Sequence, residues 1–188
     1  KAAPRCFVID TGSALARARV SNEEQVEIDM GAPTFLPEQI PSTKVVWGLP
    51  GFGGLMYAVG MGNPHCVVLF EHQDLDQLQW RLWGAQLEVD ARFPNRSNVQ
   101  FVRVLSRSSF ELRIWERGAG ETLASGSSSC AVFAVLRRLK RVDQKVKSKM
   151  QGGELDLLTR GDCILLSGSV SEVGQIILSS SLCAKVLR

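Results

Sequence analysis

Apolar and polar positions along the chain describe many short strands and two helices. Val26-Glu27-Ile28-Asp29-Met30 alternates as a half-buried strand does, until Gly31, Pro33 and Pro37 stop it. Residues 31–55 carry four of the seven prolines and run into Gly48-Leu49-Pro50-Gly51-Phe52-Gly53-Gly54, which predicts a long surface connection. Cys66-Val67-Val68-Leu69-Phe70 is a continuous apolar run and reads as a buried strand. Asp74 then reads as the cap of a helix in which Leu75, Leu78, Leu82 and Trp83 fall at helical spacing.

Further strands follow. Val99, Phe101 and Val102 to Leu105 form one, and Phe110-Glu111-Leu112-Arg113-Ile114 alternates cleanly as the next. Ser106-Arg107-Ser108-Ser109 between them reads as a hairpin turn. Leu155 to Leu158, Cys163 to Leu166 and Gln175 to Leu178 are short strands separated by Gly161-Asp162 and Gly168. Strands on both sides of a central helix, with turns and no βαβ rhythm, predict an α+β fold with a mostly antiparallel sheet.

The second helix is apolar on every face. Cys130-Ala131-Val132-Phe133-Ala134-Val135-Leu136 leaves no polar stripe, so about two turns must be surrounded by protein. Ser125-Gly126-Ser127-Ser128-Ser129 at its start can cap, and Arg137-Arg138-Leu139-Lys140-Arg141 at its end suits the helix dipole. Free N–H groups opening onto a serine-glycine loop attract a carboxylate or phosphate, although a merely capped structural helix would look the same.

Composition narrows the function. Apolar residues make up 45% and charged residues 22%, which is ordinary globular usage, and the net charge of +3 is too mild to imply a polyanionic partner. The basic run from Arg137 to Lys149 reads as a solvated helix end and an edge strand rather than a nucleic-acid surface. No apolar run is long enough to span a membrane, and Lys1 to Arg5 lacks the apolar block of a signal peptide. Cys6, Cys66, Cys130, Cys163 and Cys183 form no CxxC pair and read as reduced thiols packed in a core, in the cytoplasm. With only His65 and His72 beside them, no metal site is expected.

Three segments break the rules of their surroundings: Met61-Gly62-Asn63-Pro64-His65-Cys66, Phe93-Pro94-Asn95-Arg96-Ser97-Asn98, and Trp115-Glu116-Arg117-Gly118-Ala119-Gly120-Glu121-Thr122-Leu123-Ala124-Ser125-Gly126. Each alone has a structural explanation, such as turn asparagines bonding their own backbone or an exposed ion pair of little worth. Together, in order and spacing, they resemble the second half of the diaminopimelate epimerase family. Val26 to Pro33, Gly152-Gly153-Glu154-Leu155 and Leu166-Ser167-Gly168 extend the likeness over roughly residues 8 to 178.

The resemblance implies two similar halves, each a curved, mostly antiparallel sheet (a half-barrel) wrapped around a buried central helix, with the site in the cleft between. It implies an isomerase without cofactors that inverts the α-carbon of diaminopimelate, in lysine and cell-wall precursor biosynthesis, by two opposed thiols at the helix starts. By position, Asn63 and Asn98 match substrate-binding asparagines, Glu116 and Arg117 match the pair holding substrate amine and carboxylate, and Gly126 and Ser127 match backbone donors. His65 and Glu116 match groups that assist proton transfer, and Ser125 stands where the family has its catalytic cysteine.

That Ser125 is an engineered or natural replacement that disables the enzyme, or it marks a branch with hydroxyl chemistry such as dehydration. Cys130 matches a non-catalytic cysteine of the motif. The first half, with its Asn-Cys-Gly-Asn-Gly loop, has no counterpart. Residues 1–20 are accordingly expected to be the last strands of that half, 21–178 the epimerase-like domain, and 179–188 a tail or returning strand. The expected partner is a small amino-acid substrate, with homodimer formation and neither nucleic acid nor membrane involved. A binding module that grips an amino acid without moving a proton is the competing expectation, and this chain alone is expected to be inactive.

Overall fold

The structure, a computed structural model, describes residues 5–10, 15–22, 25–36, 46–48, 54–175, 177 and 179. Its frame is one open sheet of twelve strands. In chain order these are β1 (Arg5–Asp10), β2 (Leu15–Asn22), β3 (Gln25–Asp29), β4 (Val46–Gly48), β5 (Leu55–Gly60), β6 (Pro64–Phe70), β7 (Asn98–Ser106), β8 (Ser109–Glu116), β9 (Gly120–Thr122), β10 (Lys145–Met150), β11 (Gly153–Arg160) and β12 (Cys163–Ser169). Their lateral order is β1-β2-β3-β12-β11-β10-β8-β7-β6-β5-β4, with β9 flanking β8. Two helices accompany them, α1 (Trp80–Glu88) and α2 (Gly126–Arg138).

Helix α2 packs on β5, β6 and β7 and also on β11 and β12, so the sheet curls around it from both limbs. Ser128 to Leu136 is an unbroken buried run, which meets the expectation of a helix enclosed on all sides. Alternation in the central strands then divides the core. Val67, Leu69, Val102, Leu112 and Ile114 face α2, around Phe133 and Leu136. Cys66, Val68, Phe70, Val99 and Phe101 face the other way, toward Trp80, Leu87 and Phe93. Strands that bury both faces read as continuous apolar runs, as Cys66 to Phe70 does.

The sheet is mostly antiparallel, but the absence of βαβ units is corrected. β6 and β7 pair in parallel across α1, and β8 and β10 pair in parallel across α2. Strand β10 lies between β8 and β11 and is not an edge. Val146 and Ser148 point inward, while Lys147 lies 3.2 Å from Glu154 and 3.4 Å from Asp156 on β11, so part of the basic run is matched by acids of its neighbour.

Four other expectations change. The helix after Asp74 is broken: Asp74 caps a single 3₁₀ turn at Leu75–Gln77, Leu78 is extended, and α1 starts at Trp80. Leu75 and Trp80 are both fully buried, yet five residues of continuous helix would turn them about 140° apart. The break brings both into one core and leaves Leu82 exposed. Within residues 31–55, β4 pairs with β5 and Thr34 bridges Gly60, while 37–45 and 49–53 lie outside the described residues. Gln175 and Ile177 are not in a strand, and 176, 178 and 180–188, including Cys183, lie outside the described residues. Cys66 and Cys130 pack in the core as expected, Cys163 is partly exposed, and Cys6 is exposed on β1. No helix among the described residues is long and apolar enough to cross a membrane.

Candidate functional site

The three unusual segments meet at one end of the sheet because of strand register. Parallel pairing puts His65 of β6 beside Asn98 of β7, and antiparallel pairing puts Val99 beside Trp115 of β8. The start of β6, the start of β7 and the end of β8 therefore coincide. Asn98 joins them: its Nδ2 donates to the Pro64 carbonyl at 3.0 Å, and its Oδ1 accepts from the Arg117 N–H at 3.0 Å. Both ends of this buried amide are spent on backbone, so Asn98 staples the site together. The Arg117 guanidinium reaches the Asn95 carbonyl at 3.1 Å and is otherwise exposed. The Glu116 side chain is half-buried at the same end.

The turn after β8 is held from below by a residue that sequence reasoning missed. Glu88, at the end of α1, accepts from Trp115 Nε1 and from the Gly118 N–H, each at 2.8 Å, and lies 3.1 Å from Arg96 Nη2. Gly118 and Gly120 have φ of 78°, which glycine alone adopts readily. Burial by itself raises the Glu88 pKa, but these two hydrogen bonds, with Arg96 and Arg117 nearby, hold it below the usual carboxylate range. A lone acidic residue at a helix end carries no sequence signal of such a role.

His65 is fully buried. Its Nε2 lies 2.8 Å from Asn63 Oδ1, and its Nδ1 lies 3.1 Å from Gln100 Nε2. Gln100 also donates to Ser128 Oγ at 3.0 Å, so a polar thread runs from Asn63 to the first turn of α2. Burial, with the Arg117 charge adding to it, pushes the His65 pKa down to about 4, so the ring is neutral at neutral pH. Gln100 and Ser128 were also missed. A polar residue at an inward position of β7, on the face of Val102, was the available signal.

At the start of α2, Ser125 takes the extended conformation of a cap, and its Oγ accepts from the Ser128 N–H at 3.4 Å. Its carbonyl accepts from Ser129 Oγ at 3.0 Å, and Ser148 Oγ donates to Ser129 Oγ at 3.0 Å. Burial pushes the thiols of Cys130 and Cys66 up to about 12, so neither is a thiolate at neutral pH. Among the described residues no cluster of His, Cys, Asp or Glu could hold a metal ion.

Three cavities open around these groups. One of about 770 Å³ is lined by Met61, Gly62, Asn63 and Ser127, with Arg17, Met30 and Cys163 opposite. A second, of about 520 Å³, shares Gly62 and Asn63 and adds Pro64, Asn95 and Arg117. Ser125 and Gly126 line a third, of about 300 Å³, with Met150 and Gly152. Asn63 thus stands between the Arg117 cavity and the Ser127 cavity, His65 and Asn98 lie beneath, and Ser125 and Gly126 open on the other side of the helix start. Arg117, Asn63 and the first N–H groups of α2 can donate to a carboxylate here, while Asp29 and Glu154 line the first and third cavities.

The family described as diaminopimelate epimerase matches residues 57–171. The chloroplastic diaminopimelate epimerase of Oryza sativa subsp. japonica is 37% identical, over 83% of this chain and 48% of that protein. Diaminopimelate epimerase 2 of a Nostoc species is 35% identical, over 95% of this chain and 65% of that protein. The chain therefore spans about half to two thirds of the length of these relatives. In fold it resembles a probable proline racemase from Agrobacterium radiobacter, with a TM-score of 0.67 at 15% identity, over 94% of this chain and 61% of that one.

Proposed function

The chain belongs to the diaminopimelate epimerase family, and from that premise we propose that residues 21–178 are the second half of an amino-acid epimerase site that works without a cofactor. Residues 1–20 would be the last strands of the other half. The substrate is diaminopimelate or a close analogue, inverted at its α-carbon from the LL to the meso form. The observation that carries the reading is the convergence of Asn63, Asn98 and Arg117 at one sheet end, with Asn63 also lining a cavity with Ser127 of α2, inside the matched segment.

Roles follow from chemistry. Arg117 and the N–H groups of Gly126 and Ser127 hold carboxylate, and Glu116 holds the substrate amine. Asn63 adds a neutral donor, while Asn98 keeps Arg117 in place. Of the two groups at proton-transfer positions, Glu116 is half-buried at this end of the sheet and His65 is fully buried. The partner is a small molecule, the expected assembly is a homodimer, and the reduced thiols suit the cytoplasm.

Ser125 favours a second reading, in which this half binds but moves no proton. Its hydroxyl caps α2 and stays protonated, whereas a thiol at a helix start ionises near neutral pH. The test is to mix the chain with meso-diaminopimelate in deuterated water and follow binding and α-deuterium by NMR. Binding without exchange is expected, and Arg117→Ala should weaken binding at least tenfold. Ser125→Cys should start exchange at one face, since one thiolate removes a proton though it cannot complete an inversion. No binding, together with no exchange in Ser125→Cys, would overturn the proposal.

A further inference from the structure

We infer that Gln100 and His65 are positioning residues that lock the Asn63 amide with its oxygen inward and its –NH₂ toward the ligand; this rests on the reading of the site as one for an amino acid. Gln100 is fully buried on the α2 face of β7, where its neighbours in alternation are Val102 and Val104. One of its Nε2 hydrogens goes to Ser128 Oγ and the other to His65 Nδ1. Its Oε1 is buried with no hydrogen-bond partner, so both polar contacts of this amide are made by its nitrogen.

The consequences run outward one atom at a time. With a donor facing Nδ1, that nitrogen presents its lone pair, and the single proton of the neutral ring sits on Nε2. Nε2–H then donates to Asn63 Oδ1 at 2.8 Å. An asparagine whose oxygen is taken inward can offer only its –NH₂ outward, and Asn63 lines both the Arg117 cavity and the Ser127 cavity. The whole thread is neutral, and the Arg117 charge adds to burial in keeping a second proton off the ring. Asn63 then presents a donor to the ligand, matched to a carboxylate and mismatched to an ammonium. His65 acts through Asn63.

The test uses the intact chain with ¹⁵N-labelled histidine rings. Only His65 and His72 are present, and His72→Gln removes the second signal. His65 should show a protonated Nε2 and an unprotonated Nδ1, unchanged from pH 8 to pH 6, and the Gln100 side-chain –NH₂ should exchange slowly with solvent. Gln100→Glu should move the proton to Nδ1. A wild-type ring protonated on Nδ1, or Nε2–H retained in Gln100→Glu, would overturn the inference. If Gln100→Glu does not fold, the wild-type ring and the Gln100 exchange rate decide the matter. Failure to bind diaminopimelate with the Nε2–H form intact would overturn the proposed function and leave the positioning roles standing.

Discussion

The two faces of the central sheet each bury a polar network beneath a helix, and they do so with opposite chemistry. Under α2, the thread Asn63–His65–Gln100–Ser128 carries no charge, because burial pushes the imidazole pKa down to about 4. Against α1, Glu88 stays ionised, because two hydrogen bonds and two arginines outweigh the burial that by itself raises its pKa. A buried group keeps its charge only where several donors converge on it; elsewhere it sheds the charge. The neutral thread orients an amide toward a ligand. The charged knot holds the backbone turn of Arg117.

Removing one member of each network separates the two faces most. Glu88→Leu leaves Trp115 Nε1 and the Gly118 N–H without an acceptor and should destabilise by about 3 kcal/mol, while loosening the Arg117 turn. Gln100→Leu removes neutral bonds together with an unpaired carbonyl and should destabilise by only about 1 kcal/mol. Chemical denaturation of both variants measures the gap; equal losses would show that charge is not what distinguishes the faces.

Acid titration sharpens it next. His65 folds as the neutral ring, so the unfolded chain binds more protons between its ordinary 6.5 and about 4. Stability is complete above pH 6.5 and falls by about 3 kcal/mol as pH drops to about 4. Glu88 acts with the same sign in a lower window: its depressed pKa stabilises above the ordinary 4.5 and that contribution is lost as pH falls below it. Stability against pH should lose its upper limb in His65→Gln and part of its lower limb in Glu88→Gln. Retention of the upper limb in His65→Gln would assign it to another group.

The smallest effect comes from packing. A Cβ on Gly84 of α1 would lie 2.7 Å from Trp115 Cβ and 2.8 Å from its Cγ. Overpacking of this kind costs about 1–3 kcal/mol, offset by about 1 kcal/mol of helix propensity, so Gly84→Ala should lower Tm by a few degrees. An unchanged Tm would show that α1 rides loosely on β8.

Much of this was legible in local pattern. The strand at Cys66–Phe70, the β7–β8 hairpin and α2 each have a period that burial imposes on nearby residues, and their order along the chain follows directly. The capped, donor-rich start of α2 was legible because capping is a matter of three or four adjacent residues. Strand β10 was read as an edge because its lysines alternate with Val146 and Ser148 and hide a buried face. The helix after Asp74 was read as continuous because spacing cannot show that Leu75 and Trp80 must enter the same core.

Legible from the sequence alone are which segments become strand or helix, which motifs tie it to its family, and the serine-capped start of α2. Periodicity and capping depend on neighbours a few residues away. Tertiary structure alone decided that β6 and β7 run parallel, that Asn98 joins Pro64 to Arg117, and that Glu88 ends under the Gly118 turn. Those contacts join residues 19 to 34 apart in the chain. They depend on strand register and helix docking, and the protonation state of His65 depends on how completely that docking excludes water.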